Sequence, residues 1–164
     1  ERGALNALLL LDDEARALAR QLLGAMRHAS LGTLDPETGA PLVTRIAVQP
    51  DADGAPLALL SGLAAHSRAL AADPRAGLLI AAEPAPRGDA MTHARLSLIG
   101  RAAPVAADPA RRARWLARDP KAQVYIDLPD FRFWRITPLS GLLNAGFGRA
   151  YRLRAQDMLK PPAD

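Results

Sequence analysis

The feature that most constrains the fold is a short alternating segment enclosed by two turn sequences. Residues 42–48 alternate between two faces, with Arg45 on one face and mainly apolar side chains on the other. The sequences Asp-Pro-Glu-Thr-Gly at 35–39 and Pro-Asp-Ala-Asp-Gly at 50–54 are typical of tight turns between antiparallel strands. This arrangement predicts consecutive β-hairpins.

Further segments with strand character lie at 29–34, 57–61, 76–82, 92–102, 131–137 and 141–153. Apolar spacing and capping residues predict three helices, at 12–28, 64–72 and 108–118. No strand–helix–strand period is visible, so a parallel doubly wound sheet is not expected. The sequence predicts a mainly β protein of the α+β class, in which six or seven antiparallel strands close into a barrel with peripheral helices.

The length of 164 residues predicts a single domain that covers residues 1–164. We expect an N-terminal helix at about 12–28, a barrel at about 29–153 and a short C-terminal tail. The chain has no Cys, which excludes disulfides, thiolate metal sites and cysteine nucleophiles. No apolar run reaches the length of about 18 residues that a transmembrane helix needs, so we expect a cytoplasmic protein without membrane contact.

The net charge of +4 is consistent with an anionic partner or with a compositional habit of the chain. Among the 21 Lys and Arg residues, only Lys121 and Lys160 are lysines, and Ala is abundant. This pattern is typical of a GC-rich coding bias, so we do not expect a specific nucleic-acid partner. One predicted helix carries a stripe of arginines that we interpret as a solvated face, formed by Arg111, Arg112, Arg114 and Arg118.

The segment 57–75 runs from a strand through a small turn into a helix, and polar side chains gather at the junction. His66, Ser67 and Arg68 occupy the first helical turn, shortly after Ser61. A helix N-terminus presents unpaired backbone N–H groups, and these side chains add donors, which is the chemistry that a phosphate group needs. The alternative is ordinary capping of a surface helix by the same side chains.

Two arginines and an aromatic residue are further candidates for ligand contacts. Arg45 interrupts an apolar strand, where a charged side chain either meets a partner or ligand or faces solvent. Arg95 shares a strand face with Ser97, and this face is either a ligand contact or a solvated surface. Trp134, followed by Arg135, either stacks on a flat ligand or packs in the core.

Other chemistries lack a pattern in this sequence. The three histidines have no paired carboxylate at a zinc-ligand spacing, so no metal site is expected. The glycine patterns of phosphate loops and dinucleotide-binding turns are absent, as is the Gly-x-Ser-x-Gly elbow of serine hydrolases. No side chain is assigned a catalytic acid–base role, so the catalytic residues stay unknown.

Several motifs, taken in order, resemble the pyridoxamine 5′-phosphate oxidase-like flavoproteins, and most closely the branch that includes the heme-utilisation proteins. They are Thr-Arg-Ile-Ala at 44–47, Ser-x-Leu-Ala-x-His-Ser-Arg at 61–68, Thr-His-x-Arg-Leu at 92–96, Asp-Phe-Arg-Phe-Trp-Arg-Ile at 130–136 and Gly-Phe-Gly-Arg-Ala at 146–150. The resemblance covers roughly residues 12–152.

This resemblance implies a split β-barrel homodimer with FMN at the subunit interface. It assigns the flavin phosphate to the strand arginine and the helix start, and the flavin ring to the main chain beside that arginine. The residues concerned are Arg45, Ile46, Ala47, Ser61, His66, Ser67 and Arg68, with Arg95 and Trp134 contributed by the partner subunit. The C-terminal arginine–histidine pattern that binds the oxidase's substrate is not recognisable, so pyridoxamine phosphate oxidation is not expected.

The function that follows is that of an FMN-binding flavoprotein, an oxidoreductase or flavin reductase with a small-molecule redox partner of unknown identity. The alternative is a non-enzymatic protein of the same fold that binds heme or another flat anion, and the deazaflavin F420 is also open. A third hypothesis, a basic nucleic-acid-binding barrel, follows from charge alone.

Overall fold

The computed structural model describes residues 8–161, most of which belong to strands or to the helices around them. The elements are α1 (Asp13–Ala25), β1 (His28–Leu34), β2 (Pro41–Pro50), β3 (Pro56–Ser61), α2 (Ala65–Ala72), β4 (Arg75–Ala81), β5 (Arg95–Val105), α3 (Pro109–Arg118), β6 (Phe131–Asn144), β7 (Ala150–Arg154) and α4 (Ala155–Met158). Short 3₁₀ turns lie at Ala90–Thr92 and Pro120–Val124. The predicted domain also includes residues 1–7 and 162–164, which lie outside the described residues.

The seven strands of the described chain form one antiparallel sheet in the order β3-β2-β1-β4-β5-β6-β7. Pairing of β3 with β6 closes six of them into a barrel, and β7 extends the sheet beside β6. The β2–β3 ladder joins only three residue pairs, from Pro50–Pro56 to Val48–Ala58, and ends there. The barrel is thus joined over only part of this seam, and the predicted fold class is confirmed.

The helices lie at the predicted places with small shifts at their ends. The side chain of Asp12 caps α1 by accepting from the backbone N–H of Ala15, and Asp108 caps α3 in the same way through Arg111. Helix α1 was expected to reach residue 28 but ends at Ala25, because Met26 adopts extended backbone geometry and β1 begins soon afterwards. Within residues 8–161, no helix is long and apolar enough to span a membrane.

The C-terminal strands differ from the prediction. The sequence indicated separate strands at 131–137 and 141–153, whereas β6 runs unbroken from Phe131 to Asn144. The pairing with β5 continues through a bulge, because Gly100 pairs with Pro138 and Ile99 with Ser140, which leaves Leu139 as the extra residue. The turn into β7 contains Gly146 and Gly148 with φ angles of 125° and 71°, which only glycine adopts without strain.

The main core fills the barrel and extends beneath α1, with apolar side chains from every second position of the strands. A second, smaller cluster lies outside the barrel under α3, where Trp115 packs edge-on against Phe133 at a centroid distance of 5.5 Å. Together they leave the outer surfaces of β1, β4, β5 and the first half of β2 without a covering helix, and this open face carries the site described below.

The turn between β2 and β3 is fastened by ion pairs. Asp51 accepts hydrogen bonds from Arg111 and Arg114 of α3 and from Arg135 of β6. Asp53 accepts two more from Arg135, at 2.8 and 2.7 Å. This cluster holds α3 and β6 against the end of the hairpin at which β2 and β3 remain paired.

Candidate functional site

The open outer face is organised as rows of residues that face one another across neighbouring strands. In one row, Arg45 of β2 lies opposite Ser30 of β1, Ser30 opposite Leu79 of β4, and Leu79 opposite Ser97 of β5. In the adjacent row, two glycines separate exposed apolar residues, in the order Val43, Gly32, Gly77 and Ile99. The predicted alternation of residues 42–48 is confirmed, because Ile46 and Val48 are buried in the barrel while Arg45 lies on the outer face.

This face is unusually apolar for an exposed surface. Val43, Ile99 and Leu79 are 69%, 61% and 44% exposed, respectively. Gly32 and Gly77 lie between Val43 and Ile99, and because glycine has no side chain, nothing protrudes from the middle of this face. Contiguous exposed apolar surface of this kind marks a binding or subunit interface more often than a solvated wall.

A groove of about 410 Å³ lies on this face beside the two rows. Its lining combines small and apolar side chains with four polar side chains, those of Arg45, Ser30, His28 and Glu83. The loop that follows β4 forms one side of the groove and contributes Glu83. The guanidinium of Arg45 is exposed and makes no hydrogen bond or ion pair with any described residue.

His28 is held in place by the loop on the other side of the groove. Its Nδ1 lies 3.1 Å from Oε1 of Glu83, and the His28 and Glu83 side chains are 56% and 18% exposed. His28 pairs with Ala47 across the β1–β2 ladder, so it is a diagonal neighbour of Arg45. Diagonal neighbours of this kind have Cα atoms roughly 7–8 Å apart, which places the imidazole and the guanidinium on one small surface.

The serines predicted to bind phosphate are engaged within the protein. Ser61 donates its hydroxyl proton to Oδ2 of Asp130 at 2.7 Å, and Ser67 donates to the carbonyl of Ser61 at 2.6 Å. A hydroxyl has a single proton to donate. In this arrangement neither serine can donate to a phosphate, and both tie the start of α2 to the end of β3.

His66 and Arg68 are directed to different surroundings. Nδ1 of His66 lies 3.0 Å from Oγ1 of Thr44, and this contact links α2 to β2 beyond the last pair of the β2–β3 ladder. Burial lowers the pKa of His66, which favours the neutral imidazole. Arg68 lines a separate groove of about 230 Å³ that also contains Asp35 and Glu37. Arg45 and Arg68 therefore do not line one cavity within a single subunit.

The remaining predicted residues divide between core and surface. Ile46 belongs to the barrel core, and Ala47 is half-buried next to the smaller cluster. Arg95 is half-buried and donates to the carbonyls of Met91 and His93. Trp134 is only 6% exposed inside the barrel, which matches the core-packing alternative rather than stacking on a ligand.

The arginine stripe on α3 is largely paired with carboxylates. Arg111 and Arg114 contact Asp51, and Arg112 contacts Asp127 through two hydrogen bonds. Guanidinium groups that already bind carboxylates are poor candidates for phosphate contacts. These pairs favour the interpretation of the stripe as a structural and solvated helix face.

Two residues of the groove, His28 and Glu83, were not predicted as site residues. No carboxylate lies near a histidine at a metal-ligand spacing along the sequence, yet Glu83 contacts His28 from a loop 55 positions away. The only available signal was the position of His28 at the start of a strand whose alternation places it on the same face as Ser30. The partner carboxylate could not be inferred without knowing where the loop after β4 lies.

Taken together, the strand order and the partly joined β2–β3 seam define a split antiparallel β-barrel with a groove on its open outer face. A family model described as pyridoxamine 5′-phosphate oxidase matches residues 12–144. The chain belongs to this family, and the resemblance seen in the sequence is confirmed.

Individual relatives refine this placement. The chloroplastic heme oxygenase HOZ of Arabidopsis thaliana is 40% identical over 105 residues, which are 60% of this chain and 31% of that protein. A heme binding protein from Mycobacterium smegmatis is 30% identical, with a TM-score of 0.81 over 91% of this chain and 61% of that chain. The protein Atu2129 of Agrobacterium tumefaciens, of unknown function, is 34% identical with a TM-score of 0.79, over 92% and 62% of the two chains. The chain thus spans less than two thirds of the length of each of these relatives.

Proposed function

We propose that the groove on the outer face binds heme. The observation that carries the proposal is the presence, in one groove, of an imidazole and an exposed guanidinium, those of His28 and Arg45. Heme is a flat ring with a central iron and carboxylates at one edge. A histidine can bind the iron and an arginine can pair with a carboxylate, so the two side chains match the metal and the charged edge of this ligand.

The surroundings of these groups support a flat ligand. Ser30 is a small residue between Arg45 and Leu79, and Gly32 and Gly77 keep the adjacent row low. The named properties of the relatives from Mycobacterium smegmatis and Arabidopsis thaliana point in the same direction. Bound heme supplies the redox chemistry of its iron, while the protein supplies binding, orientation and electrostatics.

The proposal includes a homodimer. One subunit provides an open groove, which leaves the second face of a flat ligand in water. Exposed apolar side chains also lie beside the groove, namely Val43, Leu79 and Ile99, and their burial against another surface would be favourable. A second copy packed on this face around a two-fold axis would cover both the ligand and the apolar surface, and it would create two equivalent sites.

FMN is the second candidate, with the protein acting as an oxidoreductase or flavin reductase. Family membership and the exposed guanidinium of Arg45 favour it, because a phosphate also pairs well with arginine. The serines expected at the phosphate count against FMN, since the hydroxyl protons of Ser61 and Ser67 are donated within the protein. The proposed binding of heme uses neither of these hydroxyl groups.

A pair of titrations tests the proposal. Purified protein is titrated with hemin, followed by the Soret band, and separately with FMN, followed by flavin fluorescence. Ser30→Leu fills the groove, whereas the matched control Ser97→Leu adds the same side chain on the same face outside the groove lining. We expect Ser30→Leu to weaken hemin binding tenfold or more, which corresponds to about 1.4 kcal/mol, with a smaller effect of Ser97→Leu.

Stoichiometric FMN binding by a protein that takes up no hemin would refute the heme proposal in favour of the flavin candidate. Equal hemin affinity in Ser30→Leu and the parent protein would show that heme binds elsewhere.

A further inference from the structure

We propose that His28 is the axial ligand of the iron through its Nε2 atom, and that Glu83 is the positioning residue that holds the imidazole. This inference rests on the proposed binding of heme. It concerns a residue pair that joins the first position of β1 to the loop after β4.

The contact with Glu83 distinguishes the two ring nitrogens of His28. The contact of 3.1 Å between Nδ1 of His28 and Oε1 of Glu83 fixes the proton on Nδ1, because an ionised carboxylate only accepts hydrogen bonds. The unprotonated Nε2 is then the nitrogen with a lone pair available for a metal. A histidine whose other nitrogen donates to a carboxylate is the usual arrangement at metal sites, since the carboxylate sets the tautomer and raises the basicity of the ring.

The exposures of the two side chains fit these different roles. Glu83 is mostly covered by the protein, whereas more than half of the His28 side chain is open toward the groove side. A side chain that positions another needs to be fixed by the protein, whereas a side chain that binds iron needs an accessible nitrogen atom. The contact between His28 and Glu83 joins a strand to a loop, so it also fixes the position of the loop at this end of the groove.

The other two histidines of the chain do not meet these conditions. His93 directs Nε2 to the carbonyl of Arg87 at 3.3 Å, which engages the nitrogen that would bind iron. His66 contacts Thr44 and lies at the start of α2, and it is not among the residues that line the groove. Only His28 combines a carboxylate-held Nδ1 with a place in the groove.

Spectroscopy of the hemin complex tests the assignment directly. The variants are His28→Ala, with His66→Ala and His93→Ala as matched controls that each remove one imidazole. The ferric complexes are compared by the Soret position and by electron paramagnetic resonance, which report the axial ligand independently of any activity. We expect His28→Ala alone to lose the histidine-ligated signature, and added imidazole to restore it.

Glu83 is tested by two replacements. Glu83→Gln keeps an acceptor oxygen for Nδ1 but removes the charge, whereas Glu83→Ala removes both. We expect hemin affinity to fall about tenfold or more in Glu83→Ala, within the range known for partners of metal-binding histidines. In Glu83→Gln the histidine signature should persist with a raised iron reduction potential, because the imidazole loses the electron density that the carboxylate provided.

The outcomes separate this inference from the proposed function. Hemin binding with an unchanged spectrum in His28→Ala overturns the assignment of His28 while leaving heme binding in place. Loss of the histidine signature in His66→Ala or His93→Ala, with His28→Ala unaffected, overturns it as well. Failure of the parent protein to bind hemin overturns both.

Discussion

Asp51 provides the sharpest test of how the fold supports the site. Its carboxylate is 4% exposed at the tip of the β2–β3 hairpin and is contacted by arginines from two other elements. The distances are 3.3 and 3.1 Å from Arg111, 3.2 Å from Arg114 and 3.2 Å from Arg135. Asp51→Asn removes the charge and keeps the size, so it perturbs the ion pairs without opening a cavity.

The expected loss in the free energy of unfolding depends on which hydrogen-bond partners each arginine retains in Asp51→Asn. Breaking a buried ion pair from one side costs about 3–5 kcal/mol. Here Arg135 keeps both bonds to Asp53, and Arg111 keeps the carbonyl of Ala106 and the carboxylate of Asp108. Arg114 is partly exposed and regains water. We therefore expect Asp51→Asn to lower the free energy of unfolding by about 2–3 kcal/mol, below the full cost of an orphaned pair.

A matched control removes a carboxylate that pairs with the same helix, α3. Asp127→Asn removes the carboxylate that binds Arg112 at 2.6 Å, but the Asp127 side chain is 66% exposed. An exposed pair is worth about 0–1 kcal/mol, so this variant should unfold nearly like the parent protein. Urea denaturation followed by tryptophan fluorescence measures both. Equal, small losses in the two variants would refute the claim that the Asp51 cluster fastens the hairpin.

The same cluster predicts a dependence on pH. Burial raises the pKa of Asp51, but the hydrogen bonds from Arg111, Ala52 and Arg135 outweigh burial, and the net pKa lies below its ordinary value of 3.8. A carboxyl group with a depressed pKa stabilises the folded state above its unfolded pKa, and this contribution disappears as the pH falls through the folded value. The difference in stability between the parent protein and Asp51→Asn should thus be constant near neutrality and shrink below about pH 4.

Three further predictions concern the ligand and the partners. Arg45→Ala should weaken cofactor binding by about 1.5–3 kcal/mol, the scale of a charge-assisted hydrogen bond, with Arg132→Ala as the control in the same titration. Light scattering should give about twice the chain mass of 17.4 kDa, and a monomer with cofactor bound would contradict the dimer. Short DNA and RNA at roughly 150 mM salt should bind weakly, and their affinity should fall steeply as the salt concentration rises, because released counterions drive the binding. Tight, sequence-dependent binding would restore the nucleic-acid hypothesis.

The parts of the fold that could be predicted are those in which local pattern and tertiary structure agree. The alternation around Arg45 indicated which side chains enter the barrel, because successive residues of a strand point to opposite faces. The turns at 35–39 and 50–54 marked the hairpins. The predicted boundary between the last two strands was wrong, because a bulge at Leu139 allows β6 to continue where the sequence indicated an end.

The candidate site could be predicted only in part, and the reason lies in how side chains find their partners. A serine at a helix start suggests a phosphate donor, but the direction of its proton depends on acceptors elsewhere, such as Asp130 for Ser61. An arginine on an alternating strand is more predictable, since the pleat alone decides which face it occupies. Strand geometry therefore places Arg45 on the face that carries the groove, whereas the hydroxyl protons of Ser61 and Ser67 are donated within the protein.

The ligand is harder to predict from the sequence than the position of the groove. The position of the groove depends on β2 and its neighbours, which belong to the part of the chain that the family model covers. The choice of ligand depends on side chains that the barrel brings together from distant segments, here His28, Arg45 and Glu83. An imidazole nitrogen that is free to bind a metal favours a metal-centred ring over a flavin, whose ring offers no such ligand position. The proposal of heme therefore rests on this contact between β1 and the loop after β4 rather than on the motif at the start of α2.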